Sequence, residues 1–174
     1  MARSPVPLRL RPLRLDDEHA VRAAQHAMAA DGFGFAFDLD TDVDWPGYVA
    51  EQARHQRGVD LRPDRVPATY LVATVDDVLV GRTSIRHGLN ERLLARGGHI
   101  GYGVLPAFRR RGYATEILHQ SLVVARAIGI DRALLTCDDD NVASRTVIER
   151  CGGVLDPDWP RTDDEPPTHR YWIS

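Results

Sequence analysis

The stretch Gly101–Ala114 reads Gly-Tyr-Gly-Val-Leu-Pro-Ala-Phe-Arg-Arg-Arg-Gly-Tyr-Ala, and it leaves the chain few ways to fold. It starts as a strand, is stopped by Pro106, crosses an arginine-rich turn and enters a helix at Gly112. The helical pattern continues to Ile128, with Ala114, Ile117, Leu118, Leu122 and Ala125 forming a core-facing stripe. A strand that feeds a helix through such a turn leaves several backbone N–H groups unpaired at the helix start. Together with the positive end of the helix dipole they make a seat for a phosphate. Gly112 has no side chain, so an anion can approach the backbone closely. Arg109, Arg110 and Arg111 surround that seat with positive charge.

The rest of the chain places strands and helices around this junction. Leu8–Arg11 alternates as a first strand, and Asp16 or Asp17 caps a helix that runs to Ala30, where Gly32 ends it. Phe33–Trp45 interleaves aromatic rings with carboxylates. One reading makes it a substrate wall, with Phe35 and the acids Asp38 and Asp40 facing a cationic amine. The other makes it a connecting loop with solvated aspartates and a ring or two in the core. Pro46 opens a second helix to Gln56, and Gly58–Pro67 is a polar linker. Thr69–Val75 and Val78–Arg86 form an antiparallel pair about Asp76-Asp77, with a bulge or bend at Gly81. Beyond it, Arg86, His87 and Asn90 either stand at a substrate mouth or tie down the loop Glu91–Gly98.

His99–Leu105 is the strand entering the phosphate turn, and Arg132–Cys137 is a buried strand after the helix. Asp138-Asp139-Asp140 is an acidic turn before a helix from Asn141 to Arg150, which Gly152-Gly153 stops. Val154-Leu155 is a short strand, Pro157–Pro167 a polar loop and His169–Ile173 a closing strand. The order β-α-α-β-β-β-α-β-α-β-β, without internal repeat, describes an α/β chain with a mixed sheet flanked by helices.

Arg109-Arg110-Arg111-Gly112-Tyr113-Ala114 resembles the pyrophosphate-binding signature of the GNAT N-acetyltransferase superfamily, Gln/Arg-x-x-Gly-x-Gly/Ala. Val104-Leu105-Pro106 before it and Asn141-x-x-Ser144 after it are also usual there. Gly97–Tyr102 and Arg150-Cys151-Gly152-Gly153 look like a bacterial subgroup of acetyltransferases. The resemblance implies a mixed, mostly antiparallel sheet of about seven strands flanked by about four helices, with two parallel strands splayed at the cofactor site. It implies acetyl-coenzyme A as co-substrate, held by Val104, Leu105, Arg109, Arg110, Arg111, Gly112, Tyr113, Ala114, Asn141 and Ser144. It also implies an oxyanion donor from the strand backbone near Val104.

Acetyl transfer requires a neutral amine, and only roughly one lysine-like amine in a few thousand is neutral at pH 7, given a pKa of about 10.4. A base or a water chain must therefore remove a proton. Candidate proton carriers are Tyr102, His99 and His87, with strand alternation placing Tyr102 on the side of Val104 and His99 opposite. Residues placed at the acceptor are Phe35, Asp38, Arg86 and Asn90. The superfamily's usual tyrosine acid corresponds by register to Ile148, so either another group serves or the thiolate leaves unaided.

The sequence is 174 residues long with 43% hydrophobic residues, which suits one domain over 1–174. A net charge of −3 argues against nucleic acid as partner, although all basic residues are arginine. Cys137 and Cys151 lack metal spacing, so no metal is expected, and reduced thiols fit a cytoplasmic protein. Met1–Pro7 lacks a signal-peptide run, and no stretch approaches the ~20 apolar residues of a membrane span. The expected function is acetylation of a primary amine of a small molecule. The alternatives are a protein N-terminal or lysine acetyltransferase and a non-catalytic acetyl-coenzyme A-binding module. Homodimerisation is left open by the sequence.

Overall fold

The computed structural model describes residues 7–157 and 167–174. The expectations for the first six residues and for most of the Pro157–Pro167 loop lie outside these. Strand β1 (Arg9–Arg11) leads through a 3-10 turn into α1 (Glu18–Ala29), and α2 (Trp45–Gln56) follows. Asp44 caps α2 by accepting the Gly47 N–H at 2.8 Å, with Pro46 in the first turn, as the sequence indicates. Then come β2 (Ala68–Val75), β3 (Val78–Arg86), α3 (Glu91–Ala95), β4 (Ile100–Val104), α4 (Tyr113–Ala127), β5 (Ala133–Asp138), α5 (Val142–Arg150), β6 (Val154–Leu155) and β7 (Thr168–Ile173).

Helix α3 replaces part of the expected Glu91–Gly98 loop. It is too short to show a helical period, but Asn90 caps it by accepting the Leu93 N–H at 3.0 Å. Among the described residues, the strands form two sheets, β1-β2-β3-β4 and β5-β7-β6, with every ladder antiparallel. At the β2–β3 hairpin, Asp76 and Asp77 both have positive φ, at 50° and 61°, which matches the strand twist. The irregularity expected at Gly81 is a bulge: Ala73 faces Gly81 but Thr74 faces Leu79, which leaves Val80 as the extra residue.

The period-2 alternation of β2 and β3 sends residues to two cores. Leu71 and Ile85 join Ile100, Leu118, Leu122, Leu135 and Tyr171 under α4 and α5. Tyr70 and Val72 join Val21, Met28, Phe35, Trp45 and Tyr48 under α1 and α2. No helix of the described residues is long and apolar enough to cross a membrane.

The two sheets are joined by a backbone pairing at the start of β4. The His99 N–H donates to the Leu134 carbonyl at 2.7 Å, and the Leu134 N–H donates to His99 Nδ1 at 2.9 Å. Gly98, at φ +60°, permits this approach, since a Cβ there would lie 2.3 Å from the Leu134 carbonyl oxygen. Strands β4 and β5, linked through α4, begin at this contact and open away from it.

The imidazole acts as an acceptor, so the contact depends on pH. Burial, with Arg86 nearby, lowers the His99 pKa. A lowered folded pKa means protonation favours the unfolded chain. The stabilisation is fully present above the unfolded value of about 6.5 and is lost as pH falls through the folded value. Stability measured by denaturant melts should therefore decline on acidification below about pH 6.5. His99→Gln, which keeps an acceptor but cannot titrate, should flatten that decline, leaving the share due to His87, also lowered by burial. An identical decline in the variant would show that the His99 contact is not the acid-sensitive element.

Candidate active site

A cleft of about 990 Å³ lies between β4 and α5, lined from α1 and the segment after it, β4, the following turn, α4 and α5. Its floor is the arginine turn. Arg110, at φ +62°, and Gly112, at φ +82°, adopt left-handed conformations, and Gly112 is the N-cap of α4. None of the N–H groups from Arg110 to Thr115 donates to an acceptor among the described residues. A Cβ on Gly112 would meet nothing within 4 Å, so the space above these donors is open. A run of N–H groups at the start of a helix, beneath empty space and beside cations, fits a diphosphate.

The three arginines divide their tasks. Arg109 ties the turn to α1: its Nε donates to the Val104 carbonyl at 3.2 Å, and Nη2 donates to Asp31 and to Met28 Sδ. Arg111 donates to the Ala107 carbonyl and stacks on Phe108, outside the cleft lining. Arg110 lines the cleft and has no ion pair among the described residues. Leu105 departs from its expected place, because its N–H donates to the Val80 carbonyl and its side chain packs toward the α1–α2 core.

That Leu105 bond sets the phase of β4. In an antiparallel ladder the N–H of Tyr102 and Val104 then turn to the opposite edge, toward the opening. Val104, Gly112, Tyr113, Ala114, Asn141 and Ser144 all line the cleft, as does Tyr102. Asn141 Oδ1 accepts the Ser144 N–H at 3.0 Å as the cap of α5, which leaves its NH₂ for a ligand. The Tyr102 hydroxyl lies 3.1 Å from Ser144 Oγ. Burial raises the Tyr102 pKa well above the ordinary tyrosine value, against a smaller opposing effect of Ser144. Tyr102 is therefore protonated at neutral pH, so its hydroxyl can donate a hydrogen bond into the cleft. Ile148 is buried in the α4–α5 core, so no acid comes from that position.

Other expected residues lie elsewhere. His99 and His87 line neither this cleft nor the cavity described below: His99 binds Leu134, and His87 Nε2 lies 2.8 Å from Thr69 Oγ1. Both pair with the scaffold. Phe35 is not a wall residue: it is fully buried, and its carbonyl accepts from Tyr70 and Arg82. Asn90 caps α3 and donates to the Asp64 carbonyl.

A second cavity, of about 440 Å³, is lined by the α1–α2 loop, α2, the linker, β3 and α3, including Phe37, Asp38 and Arg86. Arg82 stands between the two cavities. It is 2% exposed and donates to the carbonyls of Phe35, Gly101 and Gly34 at 3.1, 3.0 and 2.6 Å. Its guanidinium lies between the rings of Phe33 and Phe37, 4.3 and 4.6 Å from their centroids. Phe33 lines the cleft and Phe37 the second cavity. Burial lowers the Arg82 pKa to about 10, which still leaves it charged at neutral pH. Gly103 lets Phe33 rest on β4, since a Cβ there would lie 2.5 Å from the ring.

Arg82, Phe33 and Phe37 were not singled out from the sequence. The available signal was the period-2 row Arg82, Ser84, Arg86, which reads as a solvent-facing side of β3 but is covered by the α1–α2 loop.

A family model described as Acetyltransferase (GNAT) domain matches residues 7–154. Among solved structures, an acetyltransferase from Agrobacterium tumefaciens shares 22% identity, covering 98% of this chain and 92% of its own, at a TM-score of 0.66. The yncA protein of Salmonella typhimurium, solved with its cofactor acetyl-CoA, shares 16% identity, with 95% and 92% coverage and a TM-score of 0.60. An acetyl transferase from Salmonella typhimurium that modifies the N-terminal serine of 50S ribosomal protein L7/L12 shares 20% identity, with 98% coverage of both chains and a TM-score of 0.63. These likenesses carry the fold. No curated protein matches the chain.

Proposed function

This chain belongs to the GNAT acetyltransferase family, and from that premise we propose that it transfers the acetyl group of acetyl-coenzyme A to the primary amine of a small molecule by direct attack on the thioester. The observation that carries this reading is the cleft that ends on the unpaired N–H groups from Arg110 to Thr115. The diphosphate sits on those donors, and the amide arm runs along the open edge of β4 past the Asn141 NH₂. The thioester then falls beside Tyr102 and Ser144.

The acceptor ammonium first loses a proton to water. Its nitrogen lone pair attacks the thioester carbonyl carbon, forming the C–N bond, and the oxygen becomes an oxyanion facing an N–H of β4 near Val104. The nitrogen of the tetrahedral intermediate gives up its second N–H proton to water. The oxyanion electron pair re-forms the carbonyl as the C–S bond breaks. The departing thiolate takes a hydrogen bond from Tyr102, or its proton, which the tyrosinate then recovers from water. That role replaces the acid absent at Ile148. A thiol with a pKa of about 8.5 needs only modest help. Tyr102→Phe should therefore lower kcat by about 10–100-fold, with little change in the KM for acetyl-coenzyme A. An unchanged kcat would remove Tyr102 from the chemistry.

The second cavity supports a small acceptor, because its volume of about 440 Å³ is the size of a small-ligand pocket. A protein N-terminus is the second reading, favoured by the fold shared with the enzyme that modifies ribosomal protein L7/L12. Steady-state release of free thiol from acetyl-coenzyme A separates them. Release with small primary amines supports the first reading, and release only with peptides supports the second. Release with neither, while coenzyme A still binds, leaves a non-catalytic binding module.

A further inference from the structure

We infer that the second cavity selects acceptors that carry an anionic group, a carboxylate or phosphate a few atoms from the amine, held by Arg86 with Arg92. This rests on the acetyl-transfer reading and names the acceptor class of that site.

Arg86 is the central group. Its Nη1 donates to the carbonyls of Gly97 and Gly98, at 2.9 and 3.0 Å, which fixes the guanidinium in place. Its Nη2 faces the bare side of Gly101, where a Cβ would lie 3.4 Å away. Neither Arg86 nor Arg92 has an ion pair among the described residues, and both line the cavity. The carboxylates of the lining have basic partners other than Arg86 and Arg92. Asp38 pairs with Arg65 at 2.9 Å and Arg62 at 3.2 Å, Asp64 lies 4.0 Å from Arg62, and Glu51 lies 3.3 Å from His55. The inner end of the cavity thus holds positive charge with no protein anion to meet it. Burial, reinforced by the like charges of Arg82, Arg92 and Arg65, lowers the Arg86 pKa to about 10, as expected for a cation kept without its counter-charge.

A guanidinium with one edge committed to backbone and the other open is suited to a carboxylate or phosphate oxygen. The location also fits the reaction. Ser84 of the cavity pairs with Gly101 across the β3–β4 ladder, and the next residues of β4, Tyr102 and Gly103, line the cleft. An acceptor anchored by its anion at Arg86 lies on the face of the β3–β4 ladder that also carries Arg82, and its amine reaches the thioester past Arg82 and Phe33. This reverses the sequence-based expectation that Asp38 draws in a cationic amine, since Asp38 is already shared by two arginines.

The test uses the full chain with coenzyme A present and compares 3-aminopropyl phosphate, β-alanine, propylamine, 1,3-diaminopropane and a short peptide with an acidic side chain after its free N-terminus. Calorimetric binding and thiol release are read in parallel. The two small anionic amines should bind at least ~10-fold more tightly than propylamine, and inorganic phosphate should compete with them. Arg92→Gln, an exposed change that keeps the fold, should reduce that preference several-fold, while Arg86→Met should abolish it if folded. Binding of the anionic amines without thiol release would retain this inference and defeat the transfer reading. Equal or tighter binding of propylamine or the diamine, or an Arg92→Gln preference equal to the parent's, would overturn it whatever the activity. Binding of the acidic peptide alone would assign the anion to a protein acceptor and overturn the small-molecule class.

Discussion

Gly112→Asp should bind coenzyme A on the order of 100-fold more weakly than the parent chain, a loss of about 2.7 kcal/mol. Gly112 sits at φ +82° as the N-cap of α4, with nothing within 4 Å of its missing Cβ. Aspartate tolerates the left-handed conformation better than most residues, so the backbone cost is only about 1 kcal/mol and the fold survives. What the substitution adds is a carboxylate in the space reserved for two phosphates, and like charges at a few ångströms repel strongly where water is thin. Gly112→Ala adds the strain without the charge and should lose much less. Arg109→Ala should also lose less, because Arg109 braces the turn against Asp31 while the backbone donors persist. Calorimetry on the folded variants, with circular dichroism as the check on folding, separates these outcomes. Parent-like affinity in Gly112→Asp would mean the phosphates lie elsewhere.

The second large effect is on stability. Gly98→Ala should destabilise the fold by about 2–5 kcal/mol, lowering Tm by roughly 5–15 °C for a chain of this size. Two penalties act together. The position has φ +60°, and the new Cβ would fall 2.3 Å from the Leu134 oxygen, 2.8 Å from its carbonyl carbon and 3.1 Å from the Leu135 Cα. These are backbone atoms of β5, so no rotamer change relieves the overlap. The paired His99–Leu134 hydrogen bonds lie beside it, and separating them disturbs the point from which β4 and β5 diverge. Coenzyme A affinity should fall along with stability. A melt within about 0.5 kcal/mol of the parent would show that this contact does not hold the two sheets together.

How much of this was legible in the sequence depended on the range of the interactions. The arginine turn was readable because its signals are local: a proline that stops a strand, a glycine that starts a helix and cations between them. The order of strands and helices was readable from period, and only the five-residue α3 escaped, being too short to have one. Asn141 was assigned both a cap and a wall role, and its Oδ1 and NH₂ allow the two at once.

What stayed hidden was set by contacts between distant segments. The aromatic and acidic stretch from Phe33 to Trp45 offered two readings, and the structure divides it residue by residue. Phe35 and Trp45 enter the core, Phe33 and Phe37 flank Arg82, and Asp38 turns to Arg62 and Arg65. The role of Arg82 was not legible because strand alternation reports the face of a sheet and not what covers it. The same limit made His99 a candidate base, when its imidazole is spent on the Leu134 N–H of another sheet.

The most direct measurement of the central claim is a crystal structure of the protein grown with saturating acetyl-coenzyme A. The diphosphate should lie within hydrogen-bonding distance of backbone N–H groups between Arg110 and Thr115, and the thioester between β4 and α5 near Tyr102. A clearly bound molecule whose phosphates lie away from that turn would contradict that claim.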